Sequence, residues 1–217
     1  MSGVNRIQQN LLATAERRLL NWLCARLPAA VTPDMLTVLG FCGALTIFAG
    51  YALSLYSIEW LWLAISGYFI NWFGDSLDGS LARYRKIERP NYGYFIDHSM
   101  DALANLVIVI GLGLTAFIRM DAAMFALGAY LLLSIHTFLA ARVTAEFRLS
   151  YLAAGPTELR LILIAMSIAM FSVSPKALWD TGLSAFDLFI CGLGAGMLLL
   201  FVIQTTVTGR RLHALSK

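Results

Sequence analysis

The sequence predicts an all-α polytopic membrane protein with six transmembrane helices, preceded by an amphipathic helix that lies on the membrane surface. Of the 217 residues, 59% are hydrophobic and only 13% are charged, with a mean hydropathy of +0.73. Soluble domains carry about one quarter charged residues. Six apolar stretches are each long enough to cross a hydrocarbon core of about 30 Å. These observations exclude a soluble domain, and the small net charge of +3 gives no indication of nucleic-acid binding.

The N-terminal segment 4–28 is predicted to form the surface helix. At helical spacing its apolar residues share one broad face, whereas Arg17 and Arg18 lie largely away from it. Such a helix would lie among anionic headgroups, and the alternative is an ordinary helix that covers the cytosolic side of the protein. Scattered arginines and the lack of an uninterrupted apolar core argue against a secretory signal peptide.

The six predicted spans follow one another with short connections, so the chain is expected to form a single domain over 1–217. Thr32, Pro33 and Asp34 supply a helix N-cap, a proline at the first helical position and an acid in the first turn of span one. Gly155 and Pro156 mark the entrance to the fifth span in a similar way. The approximate limits of the spans are 34–56, 59–84, 92–118, 121–147, 157–175 and 184–208.

The basic residues predict the orientation of the chain in the membrane. Every Lys and Arg except Arg119 and Lys176 falls in the N-terminal arm, the 83–91 loop, the 142–160 region or the C-terminal tail. Cytoplasmic loops carry an excess of Lys and Arg. Both termini and the 83–91 loop are therefore expected in the cytoplasm, and an even number of spans requires the same arrangement.

Four aspartates stand at or inside the ends of two apolar segments. Asp75 and Asp78 share one helical face, and so do Asp97 and Asp101. At 1.5 Å per residue, Asp75 lies about 24 Å along its span, and Asp97 and Asp101 lie about 7 and 13 Å into theirs, all in the cytosolic half of the bilayer. If the two faces meet, the carboxylates need a strong cation, most simply a pair of divalent metal ions.

Small and basic residues accompany the acids at helical spacing. Gly79 and Ala82 follow Asp75 and Asp78, and Gly93 lies one turn before Asp97, so a ligand can approach the helix backbone closely at these positions. Arg83 can offer a bidentate fork to a phosphate. Together with carboxylates around metal, these residues indicate phosphoryl transfer from a nucleotide donor. All-oxygen ligation favours Mg²⁺ or Mn²⁺ over zinc.

Residues 75–101 match every fixed position of D-x2-D-G-x2-A-R-x8/9-G-x3-D-x3-D, and with this signature the chain resembles the CDP-alcohol phosphotransferases. The likeness extends over nearly the whole chain, including the Thr-Pro-x-x-Leu-Thr sequence that ends at Thr37. Members of the family displace CMP from a CDP-linked lipid or alcohol by attack of a second alcohol. The resemblance therefore implies a CDP-linked donor, an acceptor alcohol and a place in phospholipid biosynthesis in the inner (cytoplasmic) membrane.

The resemblance also implies roles for individual residues. Three aspartates would hold two Mg²⁺ or Mn²⁺ ions, namely Asp75, Asp78 and Asp97. Asp101 would be the general base for the acceptor hydroxyl and would also reach the metal pair. The cytidine diphosphate site would be lined by Gly79, Ala82, Arg83, Gly93 and Thr37.

The acceptor alcohol is left open by the sequence. Members that use glycerol phosphate or inositol phosphate tend to have Lys or Arg after the fourth aspartate, where this chain has Ala102. The Asp97-His98-x-x-Asp101 pattern instead resembles the choline and ethanolamine phosphotransferase branch, although His98 can equally be a packing residue. A basic cluster could hold an acceptor phosphate, or could simply reflect the positive-inside rule, and a nearby acid could meet a cationic amine or pair with the cluster. These residues are Arg142, Arg148, Arg160 and Glu158.

Two other classes of function compete with the enzyme. A divalent-cation transporter could also use intramembrane acids, but it would not explain the Gly-x-x-Ala-Arg companions of Asp75 and Asp78. A non-catalytic scaffold is disfavoured because no acid of the signature is missing. His136 is expected to make an interhelical hydrogen bond. Gly192 and Gly196 suit close helix contact within the fold or in a homodimer.

Overall fold

The computed structural model describes residues 5–7, 13–144, 146–148, 156–173 and 182–216. Seven α-helices account for most of this part of the chain, and a single turn of 3₁₀ helix, Ile58–Trp60, precedes the third. The helices are α1 (Ala13–Cys24), α2 (Pro33–Leu53), α3 (Leu61–Arg85), α4 (Pro90–Gly113), α5 (Met120–Thr144), α6 (Pro156–Ala169) and α7 (Ala185–Leu215). Two three-residue strands, β1 (Asn5–Ile7) and β2 (Glu146–Arg148), pair in parallel with Asn5 opposite Glu146.

Four of the described helices are long and apolar enough to cross a membrane, and the protein is a helical, multi-pass membrane protein. These segments are Pro33–Leu53, Pro90–Gly113, Met120–Val143 and Ala185–Leu215. Helix α3 has 25 residues, but its second half carries Asp75, Asp78, Arg83 and Arg85. Helix α6 has 14 residues, which is short for a span of about 20. The count of six spans therefore stays a prediction.

Three predicted helices have different limits in the structure. The predicted surface helix 4–28 is wrong over Asn5–Ile7, where the backbone forms β1 and pairs with β2; residues 4 and 8–12 lie outside the described part. The fourth predicted span, 121–147, ends early because Glu146–Arg148 forms the partner strand. In the fifth, the helix ends at Ala169 and turns follow to Val173; residues 174 and 175 are outside the described part.

Helices α2 and α3 contact each other through their backbones along a row of glycines. A Cβ added to Gly43 would lie 2.3 Å from the Asn71 backbone nitrogen, and one added to Gly74 would lie 2.2 Å from the Gly40 nitrogen. Such distances leave no room for a side chain, and small residues allow this approach in membrane helices. We name this contact the glycine seam; it consists of Gly40, Gly43, Gly50, Gly67 and Gly74. The seam fixes the register between the start of α2 and the second half of α3.

Helix α6 is joined to the α2–α3 pair by buried hydroxyl groups. The Tyr51 hydroxyl lies 2.7 Å from Ser167 Oγ and 3.1 Å from the Tyr68 hydroxyl. All three side chains are almost fully buried. Because a buried hydroxyl needs a partner, this cluster specifies how α2, α3 and α6 pack together.

Two charged side chains attach α1 and the loop after it to the helical bundle. Glu16 Oε1 accepts hydrogen bonds from Trp72 Nε1 of α3 at 2.9 Å and from Thr157 Oγ1 of α6 at 2.8 Å. Arg85, in the last turn of α3, donates to backbone carbonyls in the segment 27–31 at 2.6 to 3.3 Å. Helix α1 is therefore held against α3 and the beginning of α6, whereas its position on a membrane surface stays a prediction.

Helix α7 is fixed to the rest of the chain at two levels. At its N-terminus, the buried Asp187 accepts hydrogen bonds from the backbone nitrogen of the N-cap residue Ser184 at 2.8 Å and from that of Arg119 at 2.7 Å. Further along, Thr205 Oγ1 lies 3.2 Å from His136 Nδ1 of α5, which confirms the interhelical hydrogen bond expected for that histidine.

Three glycines in the first half of α7 lie on two different faces of the helix, one packed and one exposed. Gly194 packs against α5, where an added Cβ would meet a Phe125 ring carbon at 2.9 Å. Gly192 and Gly196 are exposed, and no atom of the described chain lies within 4 Å of an added Cβ. The Gly-x-x-x-Gly pair therefore makes no close helix contact within the described chain.

Candidate active site

The four aspartates of α3 and α4 line one small pocket. The other lining residues come from α2, α3 and α4, and they are Thr37, Gly40, Phe41, Asn71, Met100 and Ala104. The i, i+3 and i, i+4 spacings put each acid pair on one helical face, and the fold turns the two faces toward each other. Since the glycine seam brings α2 against α3, residues of α2 form one wall of the pocket.

On α3, each aspartate has a partner from a different helix. Asp78 Oδ2 accepts a hydrogen bond of 2.7 Å from Thr37 Oγ1 of α2. Asp75 forms an ion pair with Arg160 of α6 and contacts the carboxyl group of Asp101. Arg160 also donates through Nε to Asn71 Oδ1 at 2.9 Å. One guanidinium thus provides a positive charge beside several carboxylates that share a low-dielectric region.

On α4, Asp97 and Asp101 are joined by His98 in one cluster. One ligand atom of each of these three residues lies within 4.8 Å of the others. His98 Nδ1 lies 3.4 Å from Asp97 Oδ2. The imidazole also packs between two rings, with centroid distances of 4.3 Å to Tyr94 and 4.9 Å to Phe138. His98 therefore lies at the edge of the acidic pocket and is held there by aromatic packing.

The residues of the pocket fit a divalent cation. Carboxylate oxygens are the ligands that Mg²⁺ and Mn²⁺ prefer, and the Asp97–His98–Asp101 cluster has the spacing of a metal site. Carboxylates as close as those of Asp75 and Asp101 repel each other strongly unless a proton or a cation lies between them. The donor set thus supports a metal site, while the identity and number of the ions stay predictions.

The residues predicted to bind the nucleotide lie beside the acids. The position that a Cβ would take at Gly79 is 3.2 Å from Arg83 Nη1, and Arg83 Nη2 donates to Ser80 Oγ at 3.2 Å. Ala82 is half-buried on the same helix, one turn beyond Asp78. Gly93 is exposed, with no described atom within 4 Å of an added Cβ, so its backbone is open to a ligand.

The candidates for acceptor binding are placed differently from one another. Arg160 lies in the acidic site, where it binds Asp75 and Asn71. Arg142 is exposed near the end of α5, and Glu158 lies in the first turn of α6. The side chain of Arg148 lies outside the described part of the chain. Among these candidates, Arg160 is the one that the described residues place in the acidic site, and the acceptor roles of all four stay predictions.

Asn71 is a site residue that the sequence reasoning missed. Its side chain is buried and lines the acidic pocket, and its Nδ2 donates to the Gly40 carbonyl at 2.9 Å. Its Oδ1 accepts a hydrogen bond from Arg160 Nε, so Asn71 connects α2, α3 and α6 beside the four aspartates. A signal was present, because Asn71 precedes Asp75 by one helical turn and is a polar residue in an apolar segment.

The fold and the site together define a helical membrane protein with an acidic pocket whose residues fit a divalent metal. A comparison with protein families matches residues 30–207 to the CDP-alcohol phosphatidyltransferase model. The chain belongs to the CDP-alcohol phosphatidyltransferase family, and it is a phosphotransferase enzyme of phospholipid biosynthesis. This family uses divalent metals, in agreement with the carboxylates of the pocket.

Three curated proteins illustrate the similarity. The chain is 28% identical over 175 residues to an archaetidylinositol phosphate synthase of Methanothermobacter thermautotrophicus, covering 81% of this chain and 85% of the relative. It is 31% identical to an archaetidylinositol phosphate synthase of Pyrococcus horikoshii, covering 46% of this chain and 51% of the relative. It is 36% identical to a phosphatidylinositol phosphate synthase of Cutibacterium acnes, covering 42% and 41%, respectively.

Proposed function

We propose that the protein transfers a substituted phosphate group from a CDP-linked donor to the hydroxyl of an acceptor alcohol and releases CMP. The donor is CDP-diacylglycerol or a CDP-alcohol, and the product is a phosphodiester. One observation carries this proposal: all four aspartates of the family signature line a single pocket formed by α2, α3 and α4. Membership of the family supplies the class of reaction.

The acids divide into metal-holding residues and a base. Asp75, Asp78 and Asp97 hold two Mg²⁺ or Mn²⁺ ions, with Asp101 close enough to contribute a ligand. When bound, the ions neutralise the diphosphate and stabilise the leaving oxygen of CMP. Two hydrogen bonds hold the Asp78 carboxylate in position, because Thr37 Oγ1 donates to Oδ2 and the Gly79 backbone N–H donates to Oδ1.

Asp101 accepts the proton of the acceptor hydroxyl. A hydroxyl group attacks phosphorus poorly until its proton is removed, and a carboxylate within hydrogen-bond reach can remove it. Asp101 lies on the face of α4 that is turned toward Asp75. An acceptor hydroxyl held between α3 and α4 therefore meets Asp101 beside the diphosphate of the donor. The remaining acceleration comes from holding the two reactants in line.

The nucleotide occupies the open side of the aspartates. Gly79, Ala82 and Gly93 leave the helix backbones accessible, and the exposed Arg83 offers its guanidinium to a phosphate oxygen. Thr37 lines the same pocket at the start of α2.

Two classes of acceptor have support. The names of the relatives favour inositol phosphate. The His98 pattern and the exposed Ala102 after the fourth aspartate favour the choline and ethanolamine type of reaction. Arg160, one of the basic residues considered for an acceptor phosphate, already forms an ion pair with Asp75. A divalent-cation transporter is the weaker alternative, since Gly79, Ala82 and Arg83 have no role in transport.

The enzyme adopts six spans in the inner (cytoplasmic) membrane, with both termini and the acidic pocket toward the cytoplasm. The concentration of Lys and Arg on one side supports this orientation. The six spans are the four long apolar helices together with α3, which has the length of a span, and α6. The exposed Gly192 and Gly196 are available for a homodimer contact, and the chain acts as one domain over 1–217.

Metal-dependent release of CMP is the experiment that tests this function. Purified protein in lipid nanodiscs is assayed with a panel of CDP-linked donors and acceptors. We expect Asp101→Asn to lower CMP release by about 10²- to 10⁴-fold, because the general base is lost while the shape of the side chain is kept. Asp121→Asn is the matched control, since Asp121 is exposed at the opposite end of the bundle. Metal binding without CMP release from any pair would contradict the proposal, and metal uptake into vesicles would favour a transporter.

A further inference from the structure

A second cavity adjoins the acidic pocket and lies between α3, α4, α5, α6 and α7. We name it the inner cavity. Its volume is about 110 Å³, and because a single water molecule needs only about 10–15 Å³, the reacting end of a larger molecule can enter it. Asn71, Asp101 and Ala104 line both the inner cavity and the acidic pocket. A molecule in the inner cavity therefore lies beside the proposed general base.

Successive turns of α4 carry the parts of the proposed site in order. Gly93 lies at the nucleotide, Asp97 at the metal and Asp101 at the reacting hydroxyl, with about 6 Å from each to the next. Asn105 follows one turn beyond Asp101 and lines the inner cavity. In phosphoryl transfer the attacking and leaving oxygens are roughly in line, on opposite sides of the phosphorus. Because CMP leaves on the side of Gly93, the acceptor enters from the side of Asn105.

The Asn105 side chain faces Tyr130 of α5. Asn105 Nδ2 lies 3.4 Å from the Tyr130 hydroxyl, which is long for a hydrogen bond, and Ser134 is a second neighbour of that hydroxyl. Both Asn105 and Tyr130 are half-buried and line the inner cavity. An amide has two N–H donors and an acceptor oxygen, and a phenol can both donate and accept. The pair therefore has hydrogen-bonding capacity for a ligand beside it.

The other polar groups in the described lining of the inner cavity are engaged within the bundle, apart from the proposed base. The Tyr68 hydroxyl forms a hydrogen bond with another tyrosine, and Asn71 and Arg160 are bonded to each other. Most of the remaining lining is aliphatic, and a polar group placed against it without a partner is unfavourable. Polar atoms of a ligand in the inner cavity are therefore best satisfied by Asn105 and Tyr130.

We propose that Asn105 and Tyr130 hold the acceptor alcohol and direct its reacting hydroxyl to Asp101. This inference rests on the proposed function and adds two acceptor-positioning residues to it. The acceptor hydroxyl gives its proton to Asp101, and its oxygen bonds to the phosphorus that carries the donor alcohol. The bond from that phosphorus to the bridging oxygen breaks, and CMP leaves with this oxygen. Since the rate depends on how accurately the attacking oxygen is placed, the two side chains act on the reaction of the acceptor.

Tyr130→Phe is the sharpest test, because it removes the hydroxyl and keeps the ring. Asn105→Leu removes the amide at similar volume and remains available if the first variant fails to fold. Tyr51→Phe is the matched control, since it also deletes a buried tyrosine hydroxyl, and among the described residues Tyr51 lines neither of the two cavities.

Each protein is studied in lipid nanodiscs with three kinds of measurement. CMP release is assayed with CDP-dioleoylglycerol and either inositol phosphate or glycerol phosphate, and with CDP-ethanolamine and dioleoylglycerol. Binding of CMP in the presence of Mn²⁺ is measured by isothermal titration calorimetry, and stability is measured by thermal unfolding.

We expect Tyr130→Phe and Asn105→Leu to lower kcat/KM for the acceptor that supports CMP release by about tenfold or more, because a hydrogen bond that orients the acceptor is lost. The KM for the CDP-linked donor and the affinity for CMP remain unchanged in both variants. Tyr51→Phe lowers the melting temperature and leaves the kinetics of the acceptor as in the wild type. A purely structural role of Tyr130 would make its variant behave like this control.

Three results would overturn the inference. Acceptor kinetics equal to those of the wild type in both variants would exclude a positioning role, and an equal loss of CMP affinity would assign the pair to the integrity of the whole site. In both cases CMP release by the wild type leaves the proposed function intact. If the wild type releases no CMP with any pair of the panel, the proposed function falls together with this inference.

Discussion

Arg160 provides a positive charge among the carboxylates of the acidic pocket. It comes from α6, binds Asp75, and is itself held by Asn71. A carboxylate in a low-dielectric region requires a partner, and the removal of one member of such a pair is strongly destabilising. Because a divalent metal can supply the same compensation, the contribution of Arg160 to stability depends on the metal.

Arg160→Gln tests this dependence. In EDTA we expect the melting temperature to fall by about 6 °C or more, since loss of a buried partner costs about 3 kcal/mol. With saturating Mn²⁺ the loss shrinks to less than half, because the metal replaces the missing positive charge. Thermal unfolding followed by tryptophan fluorescence measures both values. Arg83→Gln is the control, as Arg83 is exposed and bonds to Ser80. An equal loss with and without Mn²⁺ would refute the compensating role.

At the residue scale, the sequence predicts which side chains carry charge but not which ones meet across helices. The spacing of Asp75, Asp78, Asp97 and Asp101 is enough to put each pair on one helical face. The bonds from Thr37 to Asp78 and from Arg160 to Asp75 join residues that are 41 and 85 positions apart. Such pairs depend on the packing of three helices, which local spacing does not determine.

At the scale of elements, the glycine seam between α2 and α3 determines the geometry of the acidic pocket. Thr37 and Asp78 meet because the seam brings the two backbones together at Gly40 and Gly74. The sequence reasoning singled out Gly192 and Gly196 of α7 by their Gly-x-x-x-Gly spacing, and these two make no close contact in the described chain. Spacing alone cannot tell a packed glycine from an exposed one.

Gly74→Ala is expected to damage both stability and activity. Its Cβ would lie 2.2 Å from the Gly40 nitrogen, so the helices must separate and Asp78 moves away from Thr37. Overpacking of this kind costs about 1–3 kcal/mol. Thermal unfolding and CMP release measure the two effects. Gly192→Ala is the matched control and should change neither, because the space around Gly192 is open. Similar behaviour of the two variants would show that the seam does not hold the site.

The limits of the elements were predicted best where capping and apolar length agree. Helix α2 begins at Pro33 with Thr32 as its N-cap, within one residue of the predicted start. The prediction failed over Asn5–Ile7, because an amphipathic helical pattern cannot reveal a pairing with Glu146–Arg148 far along the chain. Strand pairing between distant segments is a tertiary event, and the helical moment of a segment contains no information about it.

At the scale of the whole molecule, the charged residues at the two ends of the bundle predict how the chain is oriented in the membrane. Arg85, Arg89 and the acidic pocket lie at one end, and the Asp187 cap lies near the opposite end, where α4 meets α5. The charge pattern of the sequence predicts that the first of these ends faces the cytoplasm. The class of fold was therefore predictable from composition and charge, whereas the arrangement of helices around the acidic pocket was not.

Cysteine labelling in intact cells tests the orientation. In a protein whose native cysteines are replaced by alanine, Ser57→Cys should react with a membrane-impermeant maleimide, because the connection between α2 and α3 that contains residue 57 is predicted to face outward. Glu88→Cys, in the exposed connection between α3 and α4, should react only after the cells are permeabilised. The reverse pattern would place the acidic pocket outside and contradict the proposed topology.

The bonds made by Glu16 and Arg85 bear on how this enzyme should be prepared for experiments. The family match begins at residue 30, which invites expression of a shortened protein from that position. Such a protein lacks Glu16, which accepts hydrogen bonds from the side chains of Trp72 and Thr157. It also loses most of the backbone carbonyl groups to which Arg85 donates. Since Trp72 follows Asn71 and Thr157 precedes Arg160 by one turn, a truncation that looks harmless at the sequence level would loosen the two helices that hold Asp75.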